Sequence, residues 1–400
     1  MQQDRRDEAT LALVILAATM PAAEAAAVVL ERFGFDMLDS FDIPSLDPSA
    51  LALLVHMDQP VVPDQRWKVL VLTDVRPRPP GWRKAAFSRR VDNERLYHMP
   101  QVQQLLVGRQ SSGPLEGALL WTADSDAAYG LLARFRPHMV GPVRKELERR
   151  QALMHPSFTV LEELGIFDQC ARVCVVSDGG ERAVCKIYRP GREQYMHNSL
   201  MASERLAQIP EVVRVIQRGP NWLLYPYLDS CTTLADYAAR RRSGLLPLVI
   251  VERLFGIVRE IHEAGIAHLD FHPWHVLIDR AGGLHIIDFD RIHMYGSIPS
   301  LRESVMLTGY DDITAYEGAP GKWSYENAWL PITGMPLSVL LSGSRAERHG
   351  SRAYYAMRRL AAHFMNGARN RLQLGFVLFD EGADVVGQIE RLGPLLLGGA

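Results

Sequence analysis

The sequence predicts a mixed α+β chain: a small lobe of strands over 155–228, a mainly helical lobe over 229–400, and a separate small α/β domain before them over 1–150. Three observations carry this. Short runs of branched and aromatic residues separated by turn residues recur between 161 and 227, the pattern of antiparallel strands. Residues 246–264 place apolar side chains at helical spacing, and 351–373 also reads as helix. Before residue 151, runs of strand length alternate with helical patterns, as in a layered α/β unit.

At 400 residues, with 48% hydrophobic content and a net charge of −2, the chain is long enough for two or three domains. Its balanced charge supplies no field that would favour nucleic acid. Cys170, Cys174, Cys185 and Cys231 lie in or beside apolar runs without metal-ligand spacing, so they read as reduced, buried thiols of a cytoplasmic protein. Residues 11–30 imitate a signal sequence or membrane span, but Pro21 and Glu24 interrupt the run and Asp4, Asp7 and Glu8 spoil a positive leader. A strand followed by a helix is expected there instead.

In the first domain, 11–17, 67–72 and 118–121 read as strands, and 22–33, 101–107 and 126–135 as helices. Asp124 and Asp126 suit a helix N-cap better than a metal site. The segment 76–90 carries six basic residues, two aromatics and no acid. It is either a solvated, proline-stiffened loop or a patch for an anionic membrane face or phosphorylated glycolipid. Residues 142–154 form a charged linking helix with Pro142 in its first turn.

Strands are expected at 161–166, 172–176, 183–188, 212–217 and 222–227, with Asp178-Gly179-Gly180 as a hairpin turn. Lys186 sits between Cys185 and Ile187 on the third of these. A buried lysine is costly without anionic partners, and nucleotide phosphates plus a carboxylate would supply them. The stretch 198–208 reads as a helix carrying Glu204, Thr233 can cap a helix over 234–241, and Gly265 ends the helix of 246–264.

The chemistry concentrates in 266–292, IAHLDFHPWHVLIDRAGGLHIIDFDRI. The branched runs 276–278 and 284–287, joined through Gly282-Gly283, read as a hairpin. Asp270 and His275 precede its first strand and Asp288 follows its second, so a hairpin brings them together. Phosphoryl transfer needs that convergence: one carboxylate for the attacking hydroxyl, another to hold magnesium on the nucleotide phosphates.

His268-x-Asp270, His275 five residues on and Asp288-Phe289 thirteen further on resemble the H-x-D-x-x-x-x-N and D-F-G motifs of the protein-kinase-like fold. With His275 in the Asn position and Ile287-Asp288-Phe289-Asp290-Arg291 in place of D-F-G, the chain looks most like the bacterial lipopolysaccharide kinases that phosphorylate core Kdo or heptose sugars. The resemblance implies ATP and Mg2+, with Asp270 as the catalytic carboxylate and Asp288 as the principal magnesium ligand. His275 either ligates the metal or positions Asp270, and the second role suits an imidazole better. Asp290 is a candidate second metal ligand. Lys186, in Ala183-Val184-Cys185-Lys186, would hold the phosphates and pair with Glu204, eighteen residues later. Tyr227 or a neighbour would donate to adenine, since Pro226 lacks an N–H. Of the glycine-rich phosphate cover only Gly165 remains. His268 would hold the loop. His272 and Trp274 touch the acceptor or simply pack, and Arg291 grips an anionic acceptor or makes a surface pair.

After Ile292 no A-P-E landmark appears, and the aromatic, acidic stretch 310–329 lines an acceptor site or closes the lobe. Helices are expected over 351–373 and 384–397. The leading expectation is thus a cytoplasmic kinase, peripheral at the inner membrane through 76–90, acting on a sugar or glycolipid hydroxyl. An aminoglycoside- or choline-kinase-like enzyme with a soluble acceptor and a nucleotide-binding pseudokinase scaffold are the alternatives.

Overall fold

The computed structural model describes residues 9–17, 26, 30–31, 34–55, 66–77, 93–100, 102, 119–155, 157–164, 170–309 and 324–373, with side chains of the last helix described as far as 359. The chain is a mixed α+β structure with several antiparallel sheets. The first sheet contains β1 (Thr10–Ala17), β2 (Asp36–Ile43), β3 (Leu54–Val55), β4 (Trp67–Asp74) and β5 (Leu119–Thr122), in the order β2-β4-β1-β5-β3. Its pairs are all antiparallel.

β1 reads TLALVILA because both of its faces are covered. Leu11, Leu13 and Ile15 enter one core with Leu131 and Leu147 from the helices Ser125–Phe135 and Val140–Leu153. Ala12, Val14 and Leu16 enter a second core on the other face with Leu96 and Met99. Among the described residues of 1–150, helices thus pack on a sheet that is antiparallel throughout. The sequence hides β2 because it is an edge strand: Phe41 and Ile43 are buried while Met37, Asp39 and Asp42 face solvent, so its text looks like a loop. Asp124 caps the helix Ser125–Phe135 by accepting from the Ala127 N–H at 2.7 Å, as expected. Most of the helices expected at 22–33 and 101–107 lies outside the described residues.

The second sheet contains β6 (Thr159–Glu163), β7 (Ala171–Asp178), β8 (Glu181–Tyr188), β9 (Gln217–Arg218) and β10 (Trp222–Pro226), ordered β6-β7-β8-β10-β9. Gly179 and Gly180, at φ 59° and 95°, make the β7–β8 turn that other residues would strain. The strand expected over 212–217 shrinks to the two residues of β9. Its start is diverted, because Val212 bridges in parallel to Ile286 and the Val213 N–H donates to the Ile286 carbonyl at 3.0 Å. The helix Glu193–Arg205 follows β8.

The larger core surrounds the helix Leu248–Glu263, which buries Val251, Leu254, Ile257, Val258 and Ile261 and ends at Gly265, φ 78°. Thr233 caps the helix Leu234–Ala239. Short ladders then set the site: β11 (Thr232–Thr233) pairs with β13 (Val276–Ile278), β13 with β14 (Leu284–Ile286), and β12 (Ile266–His268) with β15 (Ile292–Met294). The final helix spans Arg345–Gln373, longer than the sequence indicated, and the helix expected at 384–397 lies outside the described residues.

The two large sheets are docked on each other through buried charge. Arg189, just past β8, donates to Asp74 Oδ1 at 2.5 Å and to the Gly34 carbonyl at 2.6 Å; Arg95 reaches Asp74 Oδ2 at 3.0 Å. Asp74 and Arg189 are both fully buried. Burial works against the Asp74 charge, but the two guanidinium groups outweigh it and hold the carboxyl below its ordinary range. The first unit therefore does not stand apart from the second. Among the described residues, no helix is long and apolar enough to cross a membrane.

Candidate functional site

Pairing β12 with β15 brings the loop after His268 beside the loop before Ile292. His268 locks the two together. Its Nε2–H donates to the Ile287 carbonyl at 3.1 Å, and its Nδ1 accepts from the Asp270 N–H at 3.2 Å, which specifies one neutral tautomer. Burial, reinforced by His275, drops the His268 pKa to about 3. The Leu269 N–H donates to Arg291 at 2.9 Å and the Ile287 N–H to His275 at 3.0 Å, so both loops are held by backbone groups. Asp288 then adopts φ 69°, a left-handed conformation costing a non-glycine residue about 1–3 kcal/mol, which the surrounding bonds impose.

That conformation points Asp288 at Lys186. The lysine Nζ lies 2.7 Å from Asp288 Oδ1 and 2.8 Å from Asp290 Oδ2. Burial disfavours the ammonium, yet the two carboxylates outweigh it and raise its pKa well above the ordinary value. Burial likewise opposes the Asp288 charge, and Lys186 reverses the balance, keeping Asp288 ionised far below the usual range. The expected Lys186–Glu204 pair does not form. Glu204 is exposed in the last turn of its helix, where the buried positions are Asn198, Ser199 and Ala202. Two residues beyond Ala202 is about 200° around an α-helix, so Glu204 faces away.

Asp290 takes the anchoring role instead. Its Oδ1 accepts from Tyr188 OH at 2.7 Å and Ser199 OH at 2.6 Å, its Oδ2 from Lys186, and its backbone carbonyl from Asn198 Nδ2 at 2.8 Å. With both oxygens engaged by protein donors, Asp290 serves as the lysine's anchor. Sequence reading missed Tyr188, Asn198 and Ser199. Only Tyr188 carried a signal, since a residue two positions from Lys186 on a strand shares its face.

Asp270 lies on the other side of His275. The His275 Nδ1–H donates to the Asp270 carbonyl at 2.9 Å, and Nε2 comes 3.5 Å from Asp288 Oδ2, so the imidazole stands between the two carboxylates. Asp270 Oδ1 is 3.5 Å from His272 Nε2, and Oδ2 is 4.0 Å from an Arg291 nitrogen. Burial raises the Asp270 pKa, with His275 and Arg291 opposing it. His272 is buried beside His275 with ring centroids 3.8 Å apart, and burial, aided by His275, lowers its pKa to about 2. Trp274 is 40% exposed and meets the His272 ring edge-on at 5.5 Å. Below the loop, Trp329 stacks on Phe271 at 4.7 Å and donates its indole N–H to the Phe271 carbonyl at 3.0 Å. The end of the 310–329 stretch thus supports the loop; residues 310–323 lie outside the described residues.

Lys186 and Asp288 line a cleft of about 320 Å3. Leu164, Val173 and Val184 line it on the sheet side, Leu277 and Ile287 on the hairpin side, and residues 225–228 pass along its edge. An apolar slot with a few convergent polar groups is the usual form of a small-molecule site. Tyr227 lines the cleft with its ring 3.8 Å beneath the Arg182 guanidinium. Gly165 lies outside the described residues, as does most of the basic segment; its first residue, Arg76, pairs with Glu163 at 3.4 Å. All four cysteines are free; Cys174 and Cys185 are buried, whereas Cys170 and Cys231 are half-buried. No model of a known protein family matches the chain.

Proposed function

We propose that this chain is an ATP-dependent phosphotransferase of the protein-kinase-like superfamily, acting on a sugar hydroxyl of lipopolysaccharide core or a related glycolipid. The observation that carries the reading is the meeting of Lys186, Asp288 and, one imidazole away, Asp270 beside an apolar cleft. Adenine would occupy the slot beside 225–228, directing the phosphates at Lys186.

The residues suit magnesium, which is often bound through one or two carboxylates plus phosphate oxygens and water. Asp288 is ionised and would hold the ion, whose charge would offset that on the transferring group. His275 is a softer donor, and its bond to Asp270 suits a positioning role. In the transfer, the acceptor oxygen forms a bond to the terminal phosphorus, its proton passes to Asp270, and the bond to the ADP leaving oxygen breaks. The raised pKa of Asp270 makes it a better proton acceptor than an ordinary carboxylate, and Arg291 beside it suits an acceptor bearing a carboxylate or phosphate.

ATP consumption links this activity to the cytoplasmic nucleotide pool, and a glycolipid acceptor would bring the chain to the inner membrane. The test is magnesium-dependent ATP turnover with lipid-linked and soluble sugars. D270N is expected to reduce turnover by roughly 10²–10⁴-fold while nucleotide binding persists. Turnover only with soluble amino sugars or amino alcohols would favour the aminoglycoside- or choline-kinase-like alternative. Binding without turnover in the native chain would favour the scaffold.

A further inference from the structure

Asp270, His272 and His275 follow one another as Asp-x-His-x-x-His, and the turn Pro273–His275 that ends this run is a 3-10 helix with His272 at its N-cap. The His275 N–H donates to the His272 carbonyl at 2.9 Å, closing the turn, and the two imidazole rings lie 3.8 Å apart. One nitrogen from each ring and one Asp270 oxygen all fall within 4.8 Å of one another.

The approach of His272 Nε2 to Asp270 Oδ1, at 3.5 Å, is longer than an N–H···O hydrogen bond. It is close to the roughly 3.3 Å between neighbouring ligand atoms that tetrahedral zinc requires with bonds of about 2.0–2.1 Å. Two imidazoles and one carboxylate form a donor set for borderline metals, whereas magnesium takes oxygen donors. Asp288, the magnesium candidate, approaches this cluster with Oδ2 3.5 Å from His275 Nε2.

We propose that Asp270, His272 and His275 bind a divalent transition ion of the zinc class, and that the bound ion withdraws Asp270 from the acceptor hydroxyl and so silences transfer. The binding half stands on the cluster alone; the silencing half rests on the phosphotransferase reading above.

The test titrates the full chain with Co2+ and Zn2+ in the presence of excess Mg2+. One equivalent of Co2+ is expected to bind with a visible absorption band that Zn2+ displaces, and His272→Ala is expected to weaken binding by at least about tenfold. His285→Ala, in β14, should leave it unchanged. X-ray absorption on the zinc-loaded native chain should count two imidazoles on the metal, a reading that holds even if His272→Ala fails to fold. Absence of stoichiometric binding, fewer than two imidazoles, or loss of binding in His285→Ala would overturn the site. Micromolar zinc should suppress ATP turnover and a chelator restore it; full turnover with zinc bound would overturn the silencing. A chain that binds zinc but never turns over ATP would leave the metal site standing and sink the phosphotransferase reading instead.

Discussion

At the scale of single residues, the site is governed by how burial and neighbouring charge divide the carboxylates. Asp288 is held ionised by Lys186, while Asp270 is pushed up by burial and only partly rescued by His275 and Arg291. The acid limb of kcat/KM should therefore lie above the ordinary aspartate value of about 3.9. Removing the Arg291 charge takes away an attraction that favours the Asp270 carboxylate, so R291Q should move that limb to still higher pH, as a pH–rate profile would show. His268 and His272 carry a stability signal. Both stay neutral in the fold down to about 3 and about 2, whereas in the unfolded chain each gains a proton near its ordinary pKa of 6.5. Stability should therefore fall as pH drops from about 6.5 towards 3, and level off below. Denaturant titrations of H268Q should show that slope reduced by up to about 1.4 kcal/mol per pH unit, the value for one proton. Asp270 and Asp288 were legible in the sequence because a loop, a hairpin and a loop compress their chemistry into one local pattern, and Lys186 because it interrupts an apolar strand. Glu204 misled because a spacing of eighteen residues says nothing about which way a helix is turned.

At the scale of elements, short ladders do the positioning. β12 with β15 and β13 with β14 hold two loops that would otherwise be free, and Trp329 braces one of them from below. W329F keeps the ring but deprives the buried Phe271 carbonyl of its donor, at a cost of about 1–3 kcal/mol. It should lower the denaturation midpoint and kcat while nucleotide affinity, set across the cleft, changes little. The hairpin and the helix Leu248–Glu263 could be read from residue order, since their turn glycines and apolar spacing are local. β2 and β9 could not: an edge strand shows only half a pattern, and β9 is shortened because Val212 and Val213 attach to Ile286.

For the whole molecule, the docking of the two large sheets through Arg189, Arg95 and Asp74 decides how the chain unfolds. D74A would remove the buried carboxylate that both guanidinium groups face, a loss of about 3–5 kcal/mol. Because that contact couples the units, the native chain should unfold in one transition, and D74A should separate it into two by calorimetry. The sequence by itself determined the local chemistry: the run 266–292, its carboxylates and imidazoles, the lysine on a buried strand, and the apolar periods of the long helix. Tertiary structure alone decided which groups serve one another. Asp290 anchors Lys186 because Tyr188 and Ser199, more than ninety residues away, supply the donors that let a second buried carboxylate persist there. Such a choice depends on long-range packing and helix rotation, which sequence spacing does not encode.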